Sequence, residues 1–187
     1  LSSLSHDHAM VTKNILKAWT EDHDQTAFAM ALKTAGQASN QLYPSAQSAL
    51  QEMLEGMVGI ADEVGKNKIG QPFLQADPNL VESQFSFNSL DDFQNNVLSL
   101  RNVYFGSRDG AVASQSISAY TAQTKPDLDQ HIQASIAACL QSLKAIPQPF
   151  RAAILDAKAK ASIEDAMSHL QTLKNLLDQD LRQLLSL

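Results

Sequence analysis

Apolar residues recur at intervals of three and four along most of this chain, the spacing that places them on one face of an α-helix. The clearest run is the last: Ile163, Met167, Leu170, Leu173, Leu177, Leu181 and Leu184. A second run begins at Pro126 and carries Leu128, Ile132, Ile136, Cys139, Leu140, Leu143 and Ile146 before Pro147 and Pro149 stop it. Proline suits a first helical turn, and Asp127 and Asp129 there complement the helix dipole. A third run, Leu90, Phe93, Val97, Leu100 and Tyr104, lies between Ser89 and Gly106. Ser89 with Asp92 three residues on resembles a capping box, with Asp in place of Glu or Gln. A fourth opens after Pro44 with Ser45 as N-cap. It carries Leu50, Met53, Leu54, Met57, Ile60, Ala61 and Val64 and is expected to end in the turn containing Gly65. A further stripe, Leu4, Val11, Ile15, Leu16 and Trp19, occupies residues 4–20.

The connections are read from what interrupts these stripes. Residues 66–88 contain Gly70, Pro72 and Pro78 and are expected to be a long irregular connection, of the kind that often carries function. Residues 21–25 are charged and read as a loop. Residues 26–38 are Ala-rich and read as a short helix ending near Gly36, and 107–124 as turn, short helix, turn. Strand-type alternation is nearly absent. The expected fold is therefore all-α, an up-and-down four-helix bundle with an extra N-terminal helix. Residues 1–44 form the N-terminal helix and linker, and 45–187 the bundle. No single amphipathic helix is stable alone, and antiparallel packing at about 20° buries all four stripes. The first stripe needs a partner too, either across the bundle or in a neighbouring domain.

With 44% hydrophobic residues among 187, the chain can build one real core. Its net charge of −6 and lack of a basic stripe argue against nucleic acid as a partner. No stretch approaches the roughly 20 apolar residues of a membrane span. The chain opens on Leu1 without a leader, so it is expected to begin partway through a gene product. The single cysteine, Cys139, lies in an apolar run and reads as an inert core thiol.

Catalytic patterns are tested one by one. A helical zinc peptidase needs His and Glu three residues apart on one face. None of His6, His8, His23, His131 and His169 has Glu in that place. His6 and His8 would share a metal only in an extended segment, and His131 and His169 read as surface residues. Asp62-Glu63 and Asp91-Asp92 lack the His partners of a di-iron bundle. No nucleophile-elbow glycines surround a serine. Gly56, Gly59, Gly65 and Gly70 do not form a phosphate loop, and Gly56 and Gly59 are expected to allow close helix packing. The densest polar stretch is 82–92, followed by Asn95, Asn96 and Arg101. It reads either as capping and loop anchoring or as a polar site at one end of the bundle. Arg101, in an otherwise apolar or amide-rich helix, asks for a carboxylate or an anionic ligand.

Several segments in order resemble the imelysin family. They are Leu54-Glu55-Gly56-Met57-Val58-Gly59-Ile60-Ala61-Asp62-Glu63-Val64, then Ile69-Gly70-Gln71-Pro72 and Glu82-Ser83-Gln84-Phe85-Ser86. Leu90-Asp91-Asp92-Phe93, Asn102-Val103-Tyr104-Phe105-Gly106 and Leu143-Lys144-Ala145-Ile146-Pro147-Gln148-Pro149-Phe150 follow. The resemblance implies a helical protein of two similar bundles in the bacterial cell envelope, periplasmic or associated with the outer membrane and with iron uptake. Such proteins were once classed as metallopeptidases for a Gly-x-His-x-x-Glu motif in the N-terminal half, which this chain lacks. It therefore implies a non-catalytic second half, partnered by an N-terminal imelysin domain in the same gene product or as a cleaved chain. Iron, haem or a related ligand would bind at a shared site, with possible outer-membrane or iron-uptake partners. The residues that would face that site are Glu82, Ser83, Ser86, Asp91, Asn95, Arg101 and Tyr104. Two alternatives stay open: part of a zinc-dependent metallopeptidase whose metal motif lies in the other half, and a plain helical interaction module.

Overall fold

A computed structural model describes residues 2–21 and 27–187. His23 and most of the expected 21–25 loop lie outside these residues, as does Thr26. The described chain is all-α: α1 (Ser2–Thr20), α2 (Phe28–Lys33), α3 (Ala46–Asp62), α4 (Gln71–Gln75), α5 (Ser89–Phe105), α6 (Ile117–Thr124), α7 (Pro126–Ala145), α8 (Phe150–Ala153), α9 (Lys160–Asn175) and α10 (Arg182–Leu184). Two segments, Glu63–Gly70 and Leu176–Leu181, are π-helical and continue α3 and α9. The chain divides into a unit of Leu1–Glu52 and a unit of Met53–Leu187, with α3 running from one into the other.

In the first unit Ala31, Tyr43 and Ala49 form a small core, with Leu32 and Ala35 packed on it. Asn40 ties the turn after α2: its amide donates to the Ala31 carbonyl at 2.6 Å, and its oxygen accepts from the Tyr43 N–H at 2.8 Å. Burial foremost, with the nearby Glu52 carboxylate, raises the Tyr43 phenol above its usual value. Ser45 caps α3 as expected, accepting from the Ser48 N–H at 3.0 Å, while the Ser48 hydroxyl accepts from the Ser45 N–H at 3.3 Å. Gly36 follows the α2 turn with φ +85°, a conformation that favours glycine. The stripe of α1 is exposed from Leu4 to Trp19. Trp19 meets Phe28 of α2 with ring centroids 5.9 Å apart.

The second unit is the bundle. Helix α9 packs on α7 and on the π segment that follows α3, and α7 packs on α5. Helix α5 also touches that π segment, which closes the ring, while α6 lies on α7 and α5. The predicted stripes are its core. Leu90, Phe93, Val97, Leu100 and Tyr104 of α5 are buried, as are Leu128, Ile132, Ile136, Cys139 and Leu143 of α7. Ile163, Leu170, Leu173, Leu177 and Leu181 complete it from α9 and its π continuation. Phe93 and Phe150 meet edge to face at 5.3 Å, the favoured aromatic geometry.

Three sequence readings are corrected here. The α3 helix does not end near Gly65: it continues as the π segment and then as α4 to Gln75, so much of the expected irregular connection is helical. Gly65 and Gly70 had pointed to a stop because glycine weakens helices. Here they are needed for contact. A Cβ on Gly65 would stand 3.2 Å from Leu170 Cβ, and one on Gly70 only 3.0 Å from the Gly65 carbonyl oxygen and 3.2 Å from Met167 Cε. Pro72 is the second residue of α4, at the seam where the wider π turn ends. Second, Gly56 and Gly59 are not packing glycines, since a Cβ on either would meet nothing within 4 Å. Third, Ser89 and Asp92 form no capping box. Asn88 precedes the helix, and Ser89 instead donates its hydroxyl to the Glu82 carbonyl.

Candidate functional site

The connection from α4 to α5 is held by short polar side chains bonding backbone, as turn-rich sequences do. Asp77 accepts from the Asn79 N–H at 2.9 Å and starts a short 3₁₀ turn. Ser83 donates to Asp92 Oδ2 at 2.6 Å, and Asn88 donates its amide to Asp92 Oδ1 at 2.7 Å. Ser86 donates to the Ser83 carbonyl at 3.2 Å. Ala76, Ser83 and Phe87 all have positive φ, an uncommon state for residues other than glycine.

Lys68, on the π segment, is the hub that fastens this connection to the bundle. Its ammonium is 3.0 Å from Glu82 Oε2, 4.0 Å from Glu63 Oε1 and donates to Asn96 Oδ1 at 3.0 Å. Glu82 is thus held from two elements, its carboxylate by Lys68 of the π segment and its carbonyl by Ser89 of α5. Partly exposed ion pairs of this kind contribute at most about 1 kcal/mol each. Nearby, Lys66 pairs with Asp62 at 2.5 Å beside a cleft of about 300 Å³ between the π segment and α9, whose walls include Gly65, Met167 and Gln171.

A different cluster lies inside the bundle. Asp129 is almost wholly buried, although it occupies the first turn of α7. Tyr104 of α5 donates its hydroxyl to Asp129 Oδ1 at 2.8 Å, and Ser118 of α6 donates to the same oxygen at 2.7 Å. Gln133 serves the other oxygen at 2.7 Å. Asp129 keeps the first-turn place expected for it, and its carboxylate is also the acceptor that joins α5, α6 and α7. Burial foremost, then the bond to Asp129, raises the Tyr104 phenol far above its usual value.

Arg101 lies on α5 against the 107–111 turn. Its guanidinium donates to Asn102 Oδ1 at 3.0 Å, and a Cβ on Gly110 would stand 3.5 Å from one of its nitrogens. The turn's own Asp109 carboxyl is held below its usual value, chiefly by the Ala111 N–H, then by Ser107, and more weakly by the Arg101 charge. The Arg101 Nε is buried without a hydrogen-bond partner among the described residues.

The seven residues singled out by the sequence are thus dispersed. Glu82, Ser83 and Ser86 form one loop with Asp92, while Asp91 and Asn95 lie exposed on α5. Arg101 belongs to the 107–111 turn, and Tyr104 is fully buried with its hydroxyl on Asp129. Sequence reasoning missed Lys68 and Ser118, whose partners Glu82, Asn96 and Asp129 are remote in the chain, and Gln133, one turn from Asp129 on α7. Among the chemical candidates, Cys139 is buried and its thiol is pushed up to about 12 by desolvation, so it is inert. His6 and His8 are exposed on helical α1, which points them to different sides. His131 is exposed, and His169 stands 3.5 Å from Asp165 one turn earlier on the surface of α9.

The family model for imelysin matches residues 1–177. The chain belongs to the imelysin family. Iron-regulated protein A of Synechococcus elongatus is 30% identical over 176 residues, which are 94% of this chain and 49% of that protein. A crystal structure of an imelysin peptidase from Bacteroides ovatus superimposes with a TM-score of 0.81 at 31% identity, covering 91% of this chain and 49% of that one. An iron-regulated protein A precursor from Parabacteroides distasonis gives 0.76 at 30% identity, over 87% and 49%. This imelysin-family chain therefore spans about half the length of the relatives it matches. No described helix is long and apolar enough to cross a membrane.

Proposed function

We propose that this chain is the non-catalytic bundle half of a bacterial cell-envelope imelysin-like protein, one that binds iron, haem or a related ligand together with an N-terminal domain. A periplasmic or outer-membrane-associated location and an iron-uptake partner belong to the same reading. The observation that carries it is Arg101, whose buried Nε lacks a partner among the described residues. A guanidinium in that state suits a carboxylate or another anionic group supplied from outside this chain. The iron-regulated names of two relatives support the ligand class, and the half-length match supports a second domain. The described residues do not themselves fit a resident metal: they contain no group of three or more His, Cys, Asp or Glu side chains able to hold one. Donors for a metal would come from elsewhere in the whole protein.

The test begins with the intact mass and metal content of the native protein from its source. A mass near twice 20.3 kDa with bound iron supports the reading. Ligand binding is then compared after Arg101→Ala and Asp91→Ala. Binding untouched by both substitutions overturns the site. The name of the Bacteroides ovatus relative, an imelysin peptidase, favours a second reading in which the other half supplies a zinc site. Zinc-dependent proteolysis by the native protein would establish that reading instead. A native mass near that of this chain, without metal, would leave the helical interaction module.

A further inference from the structure

An open groove of about 370 Å³ lies between the connection before α5 and the turn that carries α8. Pro78, Phe87, Pro149, Ala152 and Leu155 make its walls apolar, and among the described residues the only charged one lining it is Arg151. Three features mark it. First, Arg151 is partly buried and makes no hydrogen bond or ion pair among the described residues. The carboxylates next in sequence to the lining residues Pro78 and Leu155 are engaged locally: Asp77 accepts from Asn79, and Asp156 accepts from the Lys158 N–H at 2.9 Å. Second, Phe87 is held at φ +59° by a turn in which its N–H donates to the Ser83 carbonyl at 3.0 Å, with Ser83 itself at φ +56°. A bulky residue in that conformation is a genuine outlier, and such strain gathers where side chains are presented to ligands. Third, the turn leaves Phe87 and Leu155 exposed rather than folding them into the core.

We propose that this groove is a binding site for a small carboxylate with an apolar body, such as an aryl- or alkyl-carboxylic acid. The groove is open to solvent, and its lining has the usual make-up of small-ligand sites, apolar walls with few polar groups. The carboxylate pairs with the Arg151 guanidinium, whose planar fork matches it with two parallel hydrogen bonds. The apolar body lies on Phe87, Leu155 and the two prolines. Arg151 gives preference for the anion over a neutral molecule of the same shape, and the walls give preference for an aryl or alkyl chain over acetate. The site is separate from Arg101 and does not depend on a role in iron binding.

The test uses the native full-length protein and two probes of one shape, 3-phenylpropionate and its alcohol, 3-phenylpropanol, titrated by calorimetry. Saturable binding of the acid with a Kd on the order of 1 mM or tighter is expected, together with weaker binding of the alcohol. Arg151→Gln should weaken the acid by about tenfold or more and leave the alcohol unchanged. Ala152→Leu, which fills the groove from an exposed position, should abolish both. Circular dichroism and the melting temperature report that each variant is folded. Equal binding of the acid by Arg151→Gln, equal affinity for acid and alcohol, or no saturable binding to the native protein would each overturn the proposal.

Discussion

Replacing Tyr104 by Phe removes one oxygen and leaves the ring in its buried seat, so the change reports on the hydroxyl alone. That hydroxyl is one of two donors to Asp129 Oδ1, at 2.8 Å beside Ser118 at 2.7 Å. Hydrogen bonds to a charged group contribute about 1.5–3 kcal/mol each, and no cavity is opened to add to that. A loss in this range is expected from urea unfolding, with the slope m unchanged because the surface exposed on unfolding is the same. Asp129→Ala should cost more, on the order of 3–5 kcal/mol, because it strands the hydroxyls of Tyr104 and Ser118 in the interior. Ser118→Ala combined with Tyr104→Phe should show coupling, since both hydroxyls act on one oxygen. A Tyr104→Phe loss below about 0.5 kcal/mol, or an Asp129→Ala loss smaller than that of Tyr104→Phe, would refute the view that this carboxylate holds α5, α6 and α7 together.

The glycines offer a contrast of sign. Gly70→Ala should destabilise by about 1–3 kcal/mol, because its Cβ meets backbone at 3.0 Å, whereas Gly56→Ala, in open space within α3, should stabilise by about 0.5–1 kcal/mol. Thermal melts of the two variants check both, and a Gly70→Ala protein as stable as the parent would contradict the packing. At the C-terminus, the hydrogen bond from Lys174 foremost, then Arg182, holds the Asp178 carboxyl below its ordinary 3.8. Its folded pKa is depressed, so its contribution to stability is present above the unfolded value and is lost as pH falls through the folded one. A carboxyl titration by NMR should place the Asp178 midpoint below 3.8 in low salt and move it upward in high salt.

The stripes from Leu90 to Tyr104, Leu128 to Leu143 and Ile163 to Leu181 could be read in advance because each is a local pattern and burial follows its period. Length and type of element follow from the same pattern. Gly70 and Pro72 misled because their meaning is tertiary: glycine is a weak helix former in isolation, but here its missing side chain admits Met167 and the Gly65 carbonyl. Asp129 stands in the first turn as its position implies, but its second role is tertiary. A carboxylate in a first turn satisfies the helix dipole locally, and only the fold brings Tyr104, from 25 residues earlier, within reach. For the polar stretch, the anchoring role of Ser83 and Ser86 was visible in its composition, but Lys68 was not, since nothing near it in sequence marks it as the partner of Glu82.

The π segment carries a consequence for how this sequence can change. Gly65 and Gly70 are five residues apart and face the same neighbour, α9, which an α-helix would not allow. In an ordinary helix, losing one residue swings every later side chain to a new face. Between these two glycines, losing one would shorten their spacing to four, the spacing at which an α-helix also aligns side chains. The turn that looks most irregular is therefore where the bundle would best absorb a deletion, by reverting to α register with its contact face preserved.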